Sequence, residues 1–105
     1  MTPAEVVSEI GRRLADTAPA GSRIVLFGSR AAGGSKPGSD YDVLVIEPSV
    51  TDAAAESVRL RAALDDLAVP IDVVVIENAV ATRRAAVAGT LVERALREGR
   101  ELART

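Results

Sequence analysis

One spacing constrains the fold of this chain more than any other: Gly28-Ser29, ten intervening residues, then Asp40-x-Asp42. The apolar run at residues 24–27 leads directly into Gly28, which predicts a buried strand that ends in a glycine turn. Backbone N–H groups of such a turn can approach a polyphosphate closely. Asp40 and Asp42 begin a second apolar run, and side chains two apart share one face of a strand. The spacing therefore predicts a phosphate-binding turn in front of two carboxylates.

These carboxylates predict a metal site. Two acids side by side repel each other unless a positive charge lies between them, and a divalent cation is the usual solution. A third acid, Asp72, stands second in the aliphatic run 71–76. Burying an acid is costly unless it is paired or bound to metal, so we expect a central strand next to the one carrying Asp42. Asp40, Asp42 and Asp72 are the predicted catalytic and metal-binding residues.

Each motif also has a plainer reading. A Gly-Ser pair occurs at any tight turn, and most Asp-x-Asp pairs supply a turn residue and a strand-end cap. It is the combination of the turn with three acids that favours catalysis.

Four residues form the predicted nucleotide-binding set. Gly28 lets the main chain reach the phosphates, and Ser29 is expected to cap the next helix, whose N-terminus adds a favourable dipole. Arg30 is a candidate ligand of a β- or γ-phosphate, with a solvated helix residue as the alternative. Ser39 is expected to stabilise the turn before Asp40 by bonding backbone groups.

Other residues near the motifs receive no chemical role. Tyr41 should point to the opposite face of its strand as a core or rim aromatic, and Lys36 should be a solvated residue of a mobile loop at 33–39. Such a loop could fold over a nucleotide. Arg83 and Arg84 line either the groove or a partner surface, although a solvated helix face is the simpler interpretation.

Composition excludes several function classes. With 105 residues, 48% of them hydrophobic, we expect one domain spanning 1–105. The chain has no cysteine and no histidine, which excludes disulfides, structural zinc, thiolate nucleophiles and imidazole bases. The remaining ligands suit Mg²⁺ or Mn²⁺.

Charge and hydropathy bear on partners and location. The net charge is −2 and only one Phe and one Tyr are present, so no direct nucleic-acid binding is expected. No apolar stretch approaches the ~20 residues that span a bilayer, and the N-terminus lacks the layout of a signal peptide. We therefore expect a cytoplasmic protein without a membrane segment.

The pattern of helix and strand signals predicts an α/β fold with a small mixed sheet flanked by helices. Thr2, Pro3 and Glu5 have the spacing of a helix start with a capping box. Strands are predicted near 23–27, 40–46 and 71–76. The remaining predictions are a helix opened by Pro48-Ser49 and running to Leu67, a helical tail over 80–98 broken near Gly89, a stop at Gly99 and a short last segment at 101–102.

Three segments resemble the DNA polymerase beta nucleotidyltransferase superfamily, whose hallmark is Gly-Ser, ten residues, Asp-x-Asp and a later third acid. They are residues 28–33 (Gly-Ser-Arg-Ala-Ala-Gly), 39–42 (Ser-Asp-Tyr-Asp) and 71–72 (Ile-Asp). The chain is most similar to the minimal nucleotidyltransferases, which are equally short and end in a segment like 96–102. Ala32 is a departure, since many minimal members carry an arginine or another long side chain there.

This resemblance implies a nucleotidyltransferase fold and a metal-dependent reaction with ATP as donor. Asp40 and Asp42 would hold two Mg²⁺ ions, and Asp72 would complete the second site and could receive a proton. In-line attack on the α-phosphate requires charge neutralisation on both the attacking and the leaving oxygen, which paired metals provide.

The resemblance also implies a protein partner. Larger members bind their acceptor with an added helical domain, whereas minimal members are typically paired with a HEPN-domain ribonuclease toxin. We therefore expect an antitoxin that transfers AMP from ATP to a tyrosine of that toxin (AMPylation), in a hetero-oligomer. Two alternatives stay open: an antitoxin that neutralises by binding alone, and the catalytic subunit of a small-molecule (aminoglycoside-type) nucleotidyltransferase.

Overall fold

The first helix, α1 (Pro3–Thr17), forms where the sequence predicts it. Its capping box is present: the Thr2 hydroxyl accepts from the Glu5 amide at 3.1 Å, and the Glu5 carboxylate accepts from the Thr2 amide at 2.9 Å. Its apolar face is buried through Val6, Ile10 and Leu14.

A four-stranded mixed sheet forms the centre of the fold in this computed structural model, which describes residues 1–105. The strand order is β3-β2-β1-β4, with β2 antiparallel to β1 and parallel to β3, and β4 antiparallel to β1. The strands are β1 (Arg23–Phe27), β2 (Tyr41–Glu47), β3 (Ile71–Glu77) and β4 (Arg100–Arg104).

Helices cover both faces of the sheet. Besides α1, they are α2 (Ser29–Ala32), α3 (Ala53–Ala62), α4 (Asn78–Ala85) and α5 (Leu91–Glu98), with a 3-10 turn at Asp65–Leu67. One core lies between the sheet and the pair α1 and α3, and a smaller core lies between the opposite face and the pair α4 and α5. No helix has both the length and the apolar character needed to cross a membrane. The predicted α/β class with a small mixed sheet is confirmed.

Two sequence predictions are wrong. The strand carrying Asp72 is an edge strand, so its acid remains in water and bears no cost of burial. The helix predicted from Pro48-Ser49 starts only at Ala53, because the Asp52 side chain caps it by accepting from the Ala55 amide at 3.0 Å. It also ends at Ala62, before the 3-10 turn.

The C-terminal segment, predicted without a type, is a strand. The predicted segment at 101–102 belongs to β4, which pairs with the otherwise free edge of β1. Leu102 packs on Gly11, where an added Cβ would lie 3.1 Å from the leucine Cβ. The five residues of β4 show no clear strand pattern in the sequence, so tertiary pairing decides their conformation.

Candidate functional site

Gly28 places the main chain directly against a carboxylate. It follows β1 with φ +74°, a conformation that favours glycine, and it is the N-cap of α2 without a side-chain cap bond. A Cβ at this position would collide with Oδ2 of Asp42 and lie 3.3 Å from its Cγ. Only glycine therefore allows the turn and this carboxylate to approach so closely.

Ser29 is not the helix cap that the sequence predicts. It is the first residue of α2, and the Gly28 carbonyl accepts from the amides of Ala31 and Ala32, both at 3.1 Å. Because α2 has only four residues, the predicted dipole contribution is small. The first amides of the turn have no intrahelical acceptor and remain available as donors.

Asp42 is the acid closest to this turn. Sheet register pairs it with Phe27 of β1 on one side and with Asp72 of β3 on the other. Burial raises the pKa of Asp42, and repulsion from Asp72 and then from Asp40 raises it further. Asp42 thus feels the charge of the other two acids, and the predicted adjacency of the Asp42 and Asp72 strands is confirmed.

The three carboxylates nevertheless do not converge on one point. No group of three or more carboxylates is close enough to form a metal cluster. Asp40 precedes β2 and is exposed, while the exposed Asp72 lines a cavity of about 360 Å³ together with Arg61 of α3. Asp40 and Asp42 supply the oxygen ligands that Mg²⁺ prefers, and the raised pKa of Asp42 marks negative charge that a cation would relieve.

Arg30 is engaged by its own chain. Its Nε and Nη2 donate to the Ser39 carbonyl at 3.2 and 3.0 Å, and the guanidinium lies 4.3 Å from the centre of the Tyr41 ring. The Ser39 hydroxyl accepts from the Lys36 amide at 2.9 Å, which is the turn contact expected of it. Tyr41 is buried in the core, as predicted. Arg30 thus ties α2 to the segment before Asp40, whereas its phosphate contact stays a prediction.

A cavity of about 670 Å³ opens beside the turn, within the range of small-molecule sites. Asp42 and the Gly28-Ser29 turn line one side of it, and α5 lines the other. The full lining is Phe27, Gly28, Ser29, Ala32, Asp42, Gly89, Leu91, Arg94, Ala95 and Glu98.

The basic residue of this cavity is one that the sequence reading missed. Arg83 and Arg84 lie exposed on α4 and do not line the cavity, which contains Arg94 instead. Leu91, Arg94 and Glu98 follow one another at helical spacing, so a helical projection of the tail places them on one face. The helical projection alone does not show that this face lines a cavity. That becomes clear when α5 is seen to lie beside the Gly28 turn.

A second ionisable group is buried away from the turn. Glu47, at the end of β2, is 2% exposed and its Oε2 has no hydrogen-bond partner. Burial raises its pKa to about 7, helped by a hydrogen bond with Glu56 and repulsion from it, while Arg59 acts in the opposite direction. Nothing in the sequence pattern singled out this acid.

Comparisons with known proteins agree on a family and a fold. The family model of the nucleotidyltransferase domain matches residues 7–100. No curated protein sequence is detectably similar to the chain.

Solved structures with a similar fold come from toxin–antitoxin complexes. A toxin–antitoxin complex with AMP-PNP is 23% identical with a TM-score of 0.69, over 94% of this chain and 73% of the other. The tri-AMPylated Shewanella oneidensis HEPN toxin in complex with MNT antitoxin is 20% identical with a TM-score of 0.66, over 99% and 74%. A double Asp-to-Glu mutant of the toxin–antitoxin MntA–HpeT is 19% identical with a TM-score of 0.66, over 100% and 75%.

Proposed function

Because this chain belongs to the nucleotidyltransferase domain family, we propose that it transfers AMP from ATP to a tyrosine of a HEPN ribonuclease toxin. It would act as the antitoxin of that toxin, in a hetero-oligomeric complex. The fold likeness to toxin–antitoxin complexes supports this choice, since one contains an AMPylated HEPN toxin and another contains AMP-PNP.

The observation that carries the proposal is the contact between Gly28 and Asp42 at the edge of the 670 Å³ cavity. A glycine turn with free amides, a carboxylate against it and room for a nucleotide are what phosphoryl transfer requires, because this catalysis is mainly positioning and charge stabilisation.

The chain's own residues have distinct roles in the proposed reaction. The amides of the Gly28-Ser29 turn bind the phosphates. Asp40 and Asp42 would hold Mg²⁺, which would neutralise charge on the phosphate oxygens. Arg30 holds Ser39 beside the turn through the carbonyl contact described above.

The proposed transfer forms one bond to phosphorus and breaks another. The tyrosine oxygen forms a bond to the α-phosphorus of ATP, and the bond from that phosphorus to the leaving pyrophosphate breaks. The hydroxyl proton passes to a carboxylate, for which Asp72 is the candidate because the other two acids of the set are assigned to Mg²⁺.

The test is intact-mass spectrometry of the cognate HEPN protein after incubation with this protein, Mg²⁺ and ATP. Adenylyl increments on the partner support the proposal when Asp40→Asn/Asp42→Asn abolishes them. Asp16→Asn/Asp66→Asn is the matched control, because it also neutralises two carboxylates, both exposed and outside the cavities that Asp42 and Asp72 line.

Two outcomes contradict the proposed function. A stable complex without any mass increment favours an antitoxin that works by binding alone. Transfer to a small hydroxylated compound, with none to the partner, favours a small-molecule nucleotidyltransferase.

A further inference from the structure

We infer that Arg94 binds the phosphates of the donor nucleotide. The inference rests on the proposed function and deepens it, since it assigns a residue of α5 to the binding of the substrate. Arg94 lies in the cavity, has no ion-pair partner and is surrounded there by acids and neutral groups.

Arg94 is the single basic side chain among the residues that line the 670 Å³ cavity. It lies in the same cavity as the Gly28-Ser29 turn and Asp42, on the wall that α5 provides. Val92 and Ala95, its neighbours along α5, are buried in the smaller core and fix the rotation of the helix. The position of Arg94 on the cavity wall is therefore set by packing.

The guanidinium of Arg94 has no ion pair, although acids are close along the helix. Glu98, one turn away, pairs with Arg97 at 3.0 Å, and Arg97 also contacts Glu93 at 2.9 Å. Most other arginines of the chain are paired with carboxylates, or, like Arg30, with a carbonyl oxygen. Arg94 is thus a free cation in the cavity.

The electrostatics of the cavity favour this role. Asp42 and Glu98 both line it, so without a cation a polyphosphate would meet only acids and neutral groups. Arg30 cannot compensate while it donates to the Ser39 carbonyl. A guanidinium binds phosphate through paired N–H donors, which makes Arg94 suited to the part of the nucleotide with the most charge.

The test is calorimetric titration of the protein with AMP-PNP and, separately, with AMP, both in the presence of Mg²⁺. Wild type should bind AMP-PNP more tightly than AMP. Arg94→Gln should weaken AMP-PNP binding by about tenfold or more while changing AMP binding much less, because one charged hydrogen bond to the outer phosphates is lost. Arg94→Lys should recover part of the loss.

Arg84→Gln is the matched control, since Arg84 is also exposed and unpaired but does not line the cavity. Its AMP-PNP affinity should equal that of wild type, and thermal unfolding should show all three variants folded. Unchanged AMP-PNP affinity in Arg94→Gln, or an equal loss for AMP and AMP-PNP, would overturn the inference.

Failure of the proposed function is distinguishable from failure of this inference. If the partner gains no adenylyl group but Arg94→Gln still loses its preference for AMP-PNP, the phosphate contact stands and only the acceptor is wrong. If transfer occurs and Arg94→Gln binds like wild type, the function stands and Arg94 is not its phosphate ligand.

Discussion

Asp42 lies in surroundings that raise the pKa of its carboxyl group. Its carboxylate is partly withdrawn from water, faces two other acids and lies against the backbone of Gly28. Burial and the two neighbouring acids disfavour the ionised form, and neither contributes a compensating cation. A residue held in this way is more useful for binding a ligand than for stabilising the fold.

Glu47 leads to a prediction about pH. Its pKa of about 7 lies above the ordinary value of 4.5. In the pH window between these two values, the folded protein retains a proton that the unfolded chain releases. The free energy of unfolding should therefore fall as pH rises through this window, and the loss should be complete above about pH 7. Glutamine has nearly the shape of a protonated glutamic acid and carries no charge. Glu47→Gln should therefore be more stable than wild type by roughly 1 to 3 kcal/mol at about pH 8.

Urea denaturation at about pH 5 and about pH 8 measures this difference. Glu98→Gln, a change at an exposed glutamate, should follow the wild-type pH dependence. If the free energy of unfolding depends on pH in the same way for Glu47→Gln and wild type, Glu47 ionises normally and the prediction is wrong.

Among the elements, β4 depends on close backbone packing at Gly99, the residue between α5 and β4. Gly99 ends α5 and donates to the Ala95 carbonyl at 2.8 Å, with β4 beginning at the next residue. A Cβ on Gly99 would lie 2.6 Å from the Leu26 carbonyl oxygen and would also collide with that of Ala95. The glycine is required here by close approach of two backbones, since its φ of −82° is open to any residue.

Gly99→Ala should therefore push β4 away from β1. We expect a loss of about 1 to 3 kcal/mol in the free energy of unfolding, the usual cost of overpacking, and faster amide exchange in Arg100–Arg104. Gly34→Ala is the control, because nothing lies within 4 Å of its added Cβ and its φ is not positive. Equal stability of the two variants would contradict the proposed role of Gly99.

For the whole molecule, the acids around Asp42 should couple metal binding to stability. Without a divalent cation, Asp42→Asn should be at least as stable as wild type, because it removes a carboxylate whose ionised form is disfavoured. Millimolar Mg²⁺ should raise the thermal midpoint of wild type, since a ligand that binds only the folded state stabilises it.

The same addition of Mg²⁺ should leave the midpoint of Asp40→Asn/Asp42→Asn almost unchanged. Thermal unfolding with and without Mg²⁺ measures both effects. A similar rise in the double variant would place the responsible cation elsewhere in the protein.

Features of this protein that depend on local chemistry can be read from its sequence. The capping box of Thr2 and Glu5, the strand that runs into Gly28 and the two acids of Asp40-x-Asp42 all follow from spacing along the chain. These features could be predicted because short-range backbone geometry and the alternation of strand side chains decide them.

Features that depend on contacts between distant segments become visible in the folded structure. It assigned Asp72 to an exposed edge strand, formed β4 on the free edge of β1 and brought Arg94 to the cavity of the Gly28 turn. It also left Glu47 buried without a partner for one oxygen. Strand order, helix packing and burial are set by which surfaces meet in the fold. A single segment of the chain carries no information about the surface that will lie opposite it.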